Sequence, residues 1–174
     1  MSLYIPVNRS DQKEGKNDAP VILVEYGDYQ CPHCGAAYPI IKKIERHFAG
    51  QLEFVFRNFP LAEIHPYAME AACAAEAAGL QQQFWPMHDL IFENQPMLSP
   101  QQLLNFGRVI GIDIQRLMHD MRSAAIIKKV ENDFEGGLKS GVNGTPTFFI
   151  NGKRYNGYAD FEPLKKAINL IVDK

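Results

Sequence analysis

The chain has 174 residues, which is enough for one sizeable domain or for a small domain that carries a large insertion. Its hydrophobic fraction of 46% and charged fraction of 22% are those of an ordinary globular protein and exclude disordered and fibrous classes. The net charge is −2 and the charges are well mixed, so no basic stripe indicates nucleic acid as a partner. The longest apolar runs, such as Val21–Val24, are far too short to cross a bilayer, and we expect no stable membrane insertion.

The N-terminal segment, residues 1–18, is polar and is predicted to be irregular, with a single folded domain over residues 19–174. Its sequence contains no apolar core of the kind that signal peptides carry. We therefore expect a cytoplasmic protein if the chain is complete as given, and a periplasmic or exported protein if a leader has been removed.

The first half of the domain has the pattern of a strand, a helix and a second strand. Val21–Tyr26 is a continuous apolar run that is typical of a buried central strand. Gly35–Ala49 carries apolar residues at helical spacing, and Gly50 ends this predicted helix. Leu52–Pro60 then indicates the second strand. Such a unit implies a parallel pair of strands with a right-handed crossover.

A long helical region is predicted next, over about residues 64–141. It contains an alanine-rich stretch around Cys73 and a helix start with Ser99 as N-cap and Pro100 at the first helical position. Because a lone cysteine in such a stretch is typical of a small buried hydrophobe, we assign Cys73 no chemistry.

The C-terminal part returns to β-structure before a last helix. Thr145–Ile150 is predicted to be a strand, Asn151 and Gly152 favour a two-residue hairpin turn, and Lys153–Tyr158 is predicted to pair back. The final residues form an amphipathic pattern that predicts a helix with Asp160 as its N-cap.

Two of the three cysteines, Cys31 and Cys34, are separated by only two residues and directly follow the first predicted strand. Such a pair can hold a metal, form an inert crosslink or exchange disulfides. A zinc site usually needs a second ligand pair of matching spacing, which the sequence lacks. A crosslink over so short a loop constrains little of the unfolded chain. The pattern therefore favours redox exchange and no bound metal.

The position of the pair explains how exchange would work. If the helix begins near Cys31, its unpaired N–H groups and dipole favour a thiolate there and lower the thiol pKa from about 8.5 into the range ~3.5–7.5. Cys34, one turn later, can resolve a mixed disulfide. Pro32 suits the first helical turn. His33, when cationic, would stabilise the Cys31 thiolate further and make the disulfide a stronger oxidant.

Glu25 is the one acidic residue of the first predicted strand. A carboxylate at a buried position is costly unless it has a partner or a task, and burial raises its pKa. We interpret Glu25 as a proton acceptor for Cys34 through water; the alternative is an acid at the strand end that reaches solvent.

The segments "APVILVEYGDYQCPHCGAAYP" and "NGTPTFFINGKRYNG" resemble the DsbA-like branch of the thioredoxin superfamily. The resemblance implies an α/β thioredoxin fold, βαβ then ββα, with a helical insertion between the halves. It implies Cys31 as the nucleophile, Cys34 as the resolving thiol and Pro146 as a cis-proline that faces them. It further implies that the backbone at Thr145 pairs with an extended substrate segment, and that Pro39 kinks the active-site helix.

The resemblance implies a thiol-disulfide oxidoreductase that acts on protein thiols or disulfides and depends on a recycling partner of unknown identity. No cofactor is expected, because the cysteine pair is itself the redox couple. The CPHC motif favours a dithiol oxidase. The better-studied periplasmic oxidases carry valine where this chain has Thr145, so a reductase or isomerase of the same fold stays open. A redox-sensing peptide-binding module is a further alternative.

Overall fold

The computed structural model describes residues 1–173. In chain order the elements are β1 (Gln12–Gly15), β2 (Val21–Gly27), α1 (Pro32–His47), β3 (Leu52–Asn58), α2 (Ala68–Gly79), α3 (Phe84–Glu93), a 3₁₀ helix (Gln95–Met97), α4 (Pro100–Val109), α5 (Ile114–Asp120), α6 (Ala124–Lys139), β4 (Thr147–Ile150), β5 (Lys153–Arg154) and α7 (Phe161–Val172).

The strands form one sheet in the order β1-β3-β2-β4-β5. β2 and β3 are parallel, with Val24 opposite Val55, and α1 makes the crossover between them. β4 runs antiparallel to β2, with Glu25 opposite Phe148, and β5 pairs with β4. The predicted βαβ and ββα halves are therefore confirmed, and β2 lies at the centre of the sheet.

Each face of the sheet carries its own hydrophobic cluster, because successive residues of a strand point to opposite sides. Leu23 belongs to the larger cluster, which includes α1, α7 and most of the helical insertion, whereas Val24 belongs to the smaller one. Val21, Leu23, Val24 and Tyr26 are fully buried. β2 thus has a side chain in the core at nearly every position, which explains the continuous apolar run.

The helical insertion lies between β3 and β4 and consists of α2 to α6, as predicted. The buried surface of α2 is nearly all alanine, so neighbouring helices can approach its backbone closely. Cys73 is among these buried residues. The Ser99 hydroxyl caps α4 by accepting a hydrogen bond from the backbone N–H of Gln102 at 3.2 Å, which confirms the predicted N-cap.

The prediction that residues 1–18 are irregular is wrong. β1 pairs antiparallel with β3 and forms an edge of the sheet. A buried ion pair of 2.8 Å between Arg57 of β3 and Asp11 holds the same segment. The strand QKEG has no apolar residue, and it is held by backbone pairing with β3 and by polar side-chain contacts such as those of Gln12 with Glu76 and of Lys13 with Glu53. The hydrophobic pattern could not reveal it for that reason.

Two further details differ from expectation near the C-terminus. The turn at Asn151 and Gly152 forms as predicted, with φ values of 46° and 78°, but the returning strand is only Lys153–Arg154 rather than Lys153–Tyr158. Asp160 occupies the N-cap position of α7 with an extended backbone, yet its side chain makes no capping hydrogen bond.

Candidate active site

The active-site helix α1 begins at Pro32, and Cys31 is its N-cap residue with φ −69° and ψ 123°. Proline is well suited to this first position because the N–H that it lacks would have no partner within the helix. Pro39 lies inside the helix, as the resemblance implied. The sulfur of Cys31 is therefore at the end of the helix where N–H groups are free, as the sequence predicts.

The Cys31 thiol is strongly acidified. A hydrogen bond from the Cys34 thiol contributes most to lowering the pKa of Cys31 to about 5, against an opposing effect of burial. The Thr145 side chain and the backbone N–H groups of Cys34 and His33 lower this pKa further. Cys31 is only 4% exposed. Donors that converge on the sulfur thus outweigh the loss of solvent, and Cys31 is a thiolate at neutral pH.

Cys34 has the opposite character. It is fully buried, and burial raises its pKa well above the usual value, helped by its hydrogen bond to Cys31 and by the negative charges of Glu25 and Cys31. The backbone N–H of Asp28 lies 3.4 Å from its sulfur. The pair therefore holds one thiolate and one thiol, three positions apart on the same helix.

Glu25 lies in the middle of β2 and is 3% exposed, so the alternative that it reaches solvent is wrong. Burial, followed by the charges of Cys31 and Glu45, raises the pKa of Glu25 to about 8. At neutral pH the carboxyl group is mostly protonated, and it can both give and take a proton near the cysteine pair.

The loop before β4 completes the site. The Thr145–Pro146 peptide bond is cis, as the resemblance implied, and the Thr145 carbonyl lies 3.5 Å from the Cys31 sulfur. A groove of about 570 Å³ opens beside them and is lined by His33, Thr145 and Pro146 on one side and by Tyr155 and other residues before α7 on the other. The His33 side chain is exposed and faces this groove.

Asp28 is a site residue that the sequence analysis missed. Its buried carboxylate accepts hydrogen bonds from the backbone N–H groups of Gln30 and Leu61 at 2.7 and 2.8 Å and contacts the His65 imidazole at 2.8 Å. It therefore anchors the loop that leads into Cys31 to the segment that follows β3. The only available signal was an acidic residue directly after a buried strand.

Within residues 1–173, His, Cys, Asp and Glu side chains form no group of three or more that is arranged to hold a metal ion. None of the helices in the part of the chain that the structure describes is both long and apolar enough to cross a membrane.

Comparison with known families gives a match over residues 8–170 to a family model described as thioredoxin. Among curated proteins, the Na⁺/H⁺ antiporter NhaA 1 of Salinispora arenicola is 40% identical over 169 residues, which cover 97% of this chain and 26% of the antiporter. The chain thus spans about a quarter of the length of the curated relatives it matches.

Solved structures match along almost the whole chain. Oxidised BdbD from Bacillus subtilis is 28% identical with a TM-score of 0.85, covering 95% of this chain and 94% of that one. The thiol-disulfide exchange protein alpha-DsbA2 from Wolbachia pipientis is 24% identical with a TM-score of 0.82, covering 92% and 87%. Both share the thioredoxin-like fold with a helical insertion.

Proposed function

The chain belongs to the thioredoxin family, and on this premise we propose that it is a dithiol oxidase that transfers its disulfide to protein thiols. Its Cys31–Cys34 pair makes it a DsbA-like thiol-disulfide oxidoreductase. The observation that carries the proposal is the divergence of the two cysteines: the pKa of Cys31 falls to about 5, whereas that of Cys34 rises. A stabilised thiolate favours the reduced form, which makes the corresponding disulfide a strong oxidant.

The proposed cycle begins with the oxidised pair. A substrate thiolate attacks the Cys31 sulfur, a substrate–Cys31 disulfide forms, and the Cys31–Cys34 bond breaks. Cys34 leaves as a thiolate in a buried site that disfavours this charge, and protonated Glu25 supplies its proton. A second substrate thiolate then attacks the substrate sulfur of the mixed disulfide. Cys31 leaves readily because its thiolate is stable, and the two electrons of the substrate pair now reside in the Cys31–Cys34 dithiol.

We further propose that Thr145 and Pro146 present the substrate. An extended segment in the adjacent groove could pair with the Thr145 backbone and bring its cysteine to Cys31, a form of strand addition. His33, at the edge of the same groove, is proposed to tune the Cys31 thiolate.

The dithiol must be reoxidised after each transfer, so the proposal requires a partner that accepts two electrons. A quinone-linked membrane reoxidase would serve in an oxidising compartment. In a reducing compartment a thioredoxin- or glutathione-based system would instead keep the pair reduced and favour a reductase.

The test is the reduction potential of the cysteine pair. We would equilibrate the protein in glutathione buffers of graded ratio, alkylate the free thiols and count them at Cys31 and Cys34 by mass spectrometry. Cys73→Ala is the matched control, since it removes the third thiol and should leave the potential unchanged. A potential near about −120 mV, as in a strong oxidase of this fold, is expected. A potential near the thioredoxin value of about −270 mV would overturn the oxidase proposal and support a reductase.

A further inference from the structure

Gln95 reaches from the helical insertion to the backbone of Tyr29 and Cys31, just before α1. It begins the short 3₁₀ helix Gln95–Met97, and its side-chain amide nitrogen lies 2.9 Å from the Tyr29 carbonyl and 2.8 Å from the Cys31 carbonyl. An amide NH₂ has two protons, so it can donate one hydrogen bond to each carbonyl. The two accepting residues flank Gln30, so the two hydrogen bonds of the Gln95 amide hold the chain on both sides of the last residue before Cys31.

Gly35 provides the space for this contact. Its own N–H donates to the Cys31 carbonyl at 3.0 Å, so the carbonyl accepts both from the helix and from Gln95. A Cβ atom at Gly35 would overlap the side-chain oxygen of Gln95. Glycine within a helix is about 1 kcal/mol less favourable than alanine. The close approach of Gln95 gives a physical reason for accepting that loss.

One of these hydrogen bonds acts on Cys31, the residue whose orientation matters most for the chemistry. The Cys31 sulfur is reached by N–H groups of the first helical turn, and how well they point at it depends on the backbone of Cys31 itself. The Cys31 N–H is already fixed by the Asp28 carbonyl at 3.1 Å. Gln95 fixes the other side of the same residue.

We propose that Gln95 is a positioning residue that holds the Cys31 backbone in the orientation in which the helix start best stabilises the thiolate, and that Gly35 is glycine to admit it. The inference rests on the proposed role of Cys31 as the nucleophile. The helical insertion then does more than cover the core, because one of its side chains makes the cysteine pair more oxidising.

A double-mutant cycle of Gln95→Ala and Gly35→Ala tests this, with the equilibrium constant against glutathione and the pH titration of the thiolate ultraviolet absorbance as readouts. Gln95→Ala should make the pair about fivefold less oxidising, since a lost hydrogen bond is worth about 1 kcal/mol. Gly35→Ala should reproduce this loss because the new methyl group displaces Gln95. In the Gln95→Ala background, Gly35→Ala should cause no further loss and should raise the melting temperature.

Two additional variants guard the interpretation. Gln95→Glu keeps the side-chain shape but replaces the donor by an acceptor facing two carbonyls, and it should weaken the oxidant more than Gln95→Ala does. Gln101→Ala removes an exposed glutamine of α4 that bonds only Asn105, and it should change neither readout.

Equal effects of Gly35→Ala in both backgrounds would overturn the inference, as would a Gln95→Ala variant that melts earlier but keeps its equilibrium constant and thiolate titration. A wild-type pair with a reducing, thioredoxin-like potential would overturn the oxidase proposal only. The same non-additive cycle around that lower potential would still support the role of Gln95.

Discussion

Cys31 and Cys73 are equally buried, at 4% exposure each, yet their thiols are opposite in character. The pKa of Cys31 is lowered to about 5, whereas burial and the charges of Glu76, Glu70 and Glu131 raise that of Cys73 to about 11. Cys31 stands before the first turn of α1, and Cys73 lies in the middle of α2. Burial alone therefore does not decide whether a cysteine is reactive.

The difference lies in which groups face each sulfur. The interior of a helix has no free N–H groups, because each one is already bonded to a carbonyl four residues earlier. At Cys31 the free N–H groups and the Cys34 thiol donate to the sulfur and outweigh desolvation. At Cys73 desolvation and the nearby carboxylates act in the same direction. Experiments on either cysteine can test whether these neighbouring groups cause the difference in pKa.

The largest expected effect is the difference in alkylation rate at pH 6. Cys31 of the reduced protein should react with iodoacetamide roughly 10²–10³-fold faster than Cys73, because its far larger thiolate fraction outweighs the lower nucleophilicity of a more acidic thiol. Quantitative mass spectrometry of the labelled peptides gives both rates. In denaturant the two rates should converge, and comparable rates in the folded protein would contradict the comparison.

A second test removes the carboxyl group beside the reactive pair. The pKa of Glu25 is 4.5 when unfolded and about 8 when folded, so between these values the folded state holds the extra proton and Glu25 lowers stability as pH rises. Glu25→Gln should therefore be more stable than wild type by about 2 kcal/mol at pH 6, and nearly equal to it at pH 4. Denaturant unfolding at both values measures the difference.

The Cys31 thiolate acts with the opposite sign. Its pKa is 9.0 unfolded and about 5 folded, so its stabilisation is complete above pH 9 and is lost as pH falls through 5. Comparing each variant with wild type at the same pH largely cancels this contribution. Glu162→Gln on the exposed side of α7 is the control and should show no such pH dependence. A Glu25→Gln variant that is less stable than wild type at pH 6 would contradict the raised pKa of the buried Glu25 carboxyl group.

The reactive site was largely predictable because its signals are local. A cysteine pair at the start of a helix, directly after a buried strand, lies within a few residues of sequence. The inert character of Cys73 was also predictable from its alanine-rich surroundings. The family resemblance supplied the distant partner, Thr145 with its cis-proline, which no local pattern connects to Cys31.

Contacts between distant segments were not predictable. Gln95 meets Cys31 across 64 positions, and Asp28 meets His65 across 37. Neither side chain follows a periodic pattern, since each acts through two or three hydrogen bonds rather than through a repeating apolar surface. β1 was missed for the related reason that its residues are polar and are held by backbone pairing and by single polar contacts with distant residues.

A third test measures how much the His33 side chain adds to the stabilisation of the Cys31 thiolate by the start of α1. His33 lines the groove beside Cys31 and, when protonated, should favour the thiolate through space. His33→Gln should lower the equilibrium constant against glutathione roughly two- to fivefold and leave Cys73 alkylation unchanged. His119→Gln, at a site 82% exposed on α5, is the matched control and should have no effect. An unchanged constant in His33→Gln would assign the whole effect to hydrogen bonds at the helix start.

The smallest effect should come from changing charge around the inert thiol. Glu70 lies three residues before Cys73 on α2, and its charge contributes to the raised pKa of that thiol. Because a single charge at this helical spacing is worth about 0.2–0.5 kcal/mol, Glu70→Gln should speed Cys73 alkylation at pH 9 only about twofold. Cys31, with no Glu70 contribution to its pKa, should be unaffected. An increase of a hundredfold would mean that charge rather than burial keeps Cys73 inert. The difference between the Cys31 and Cys73 thiols would then depend on nearby carboxylates instead of on the position of each sulfur along its helix.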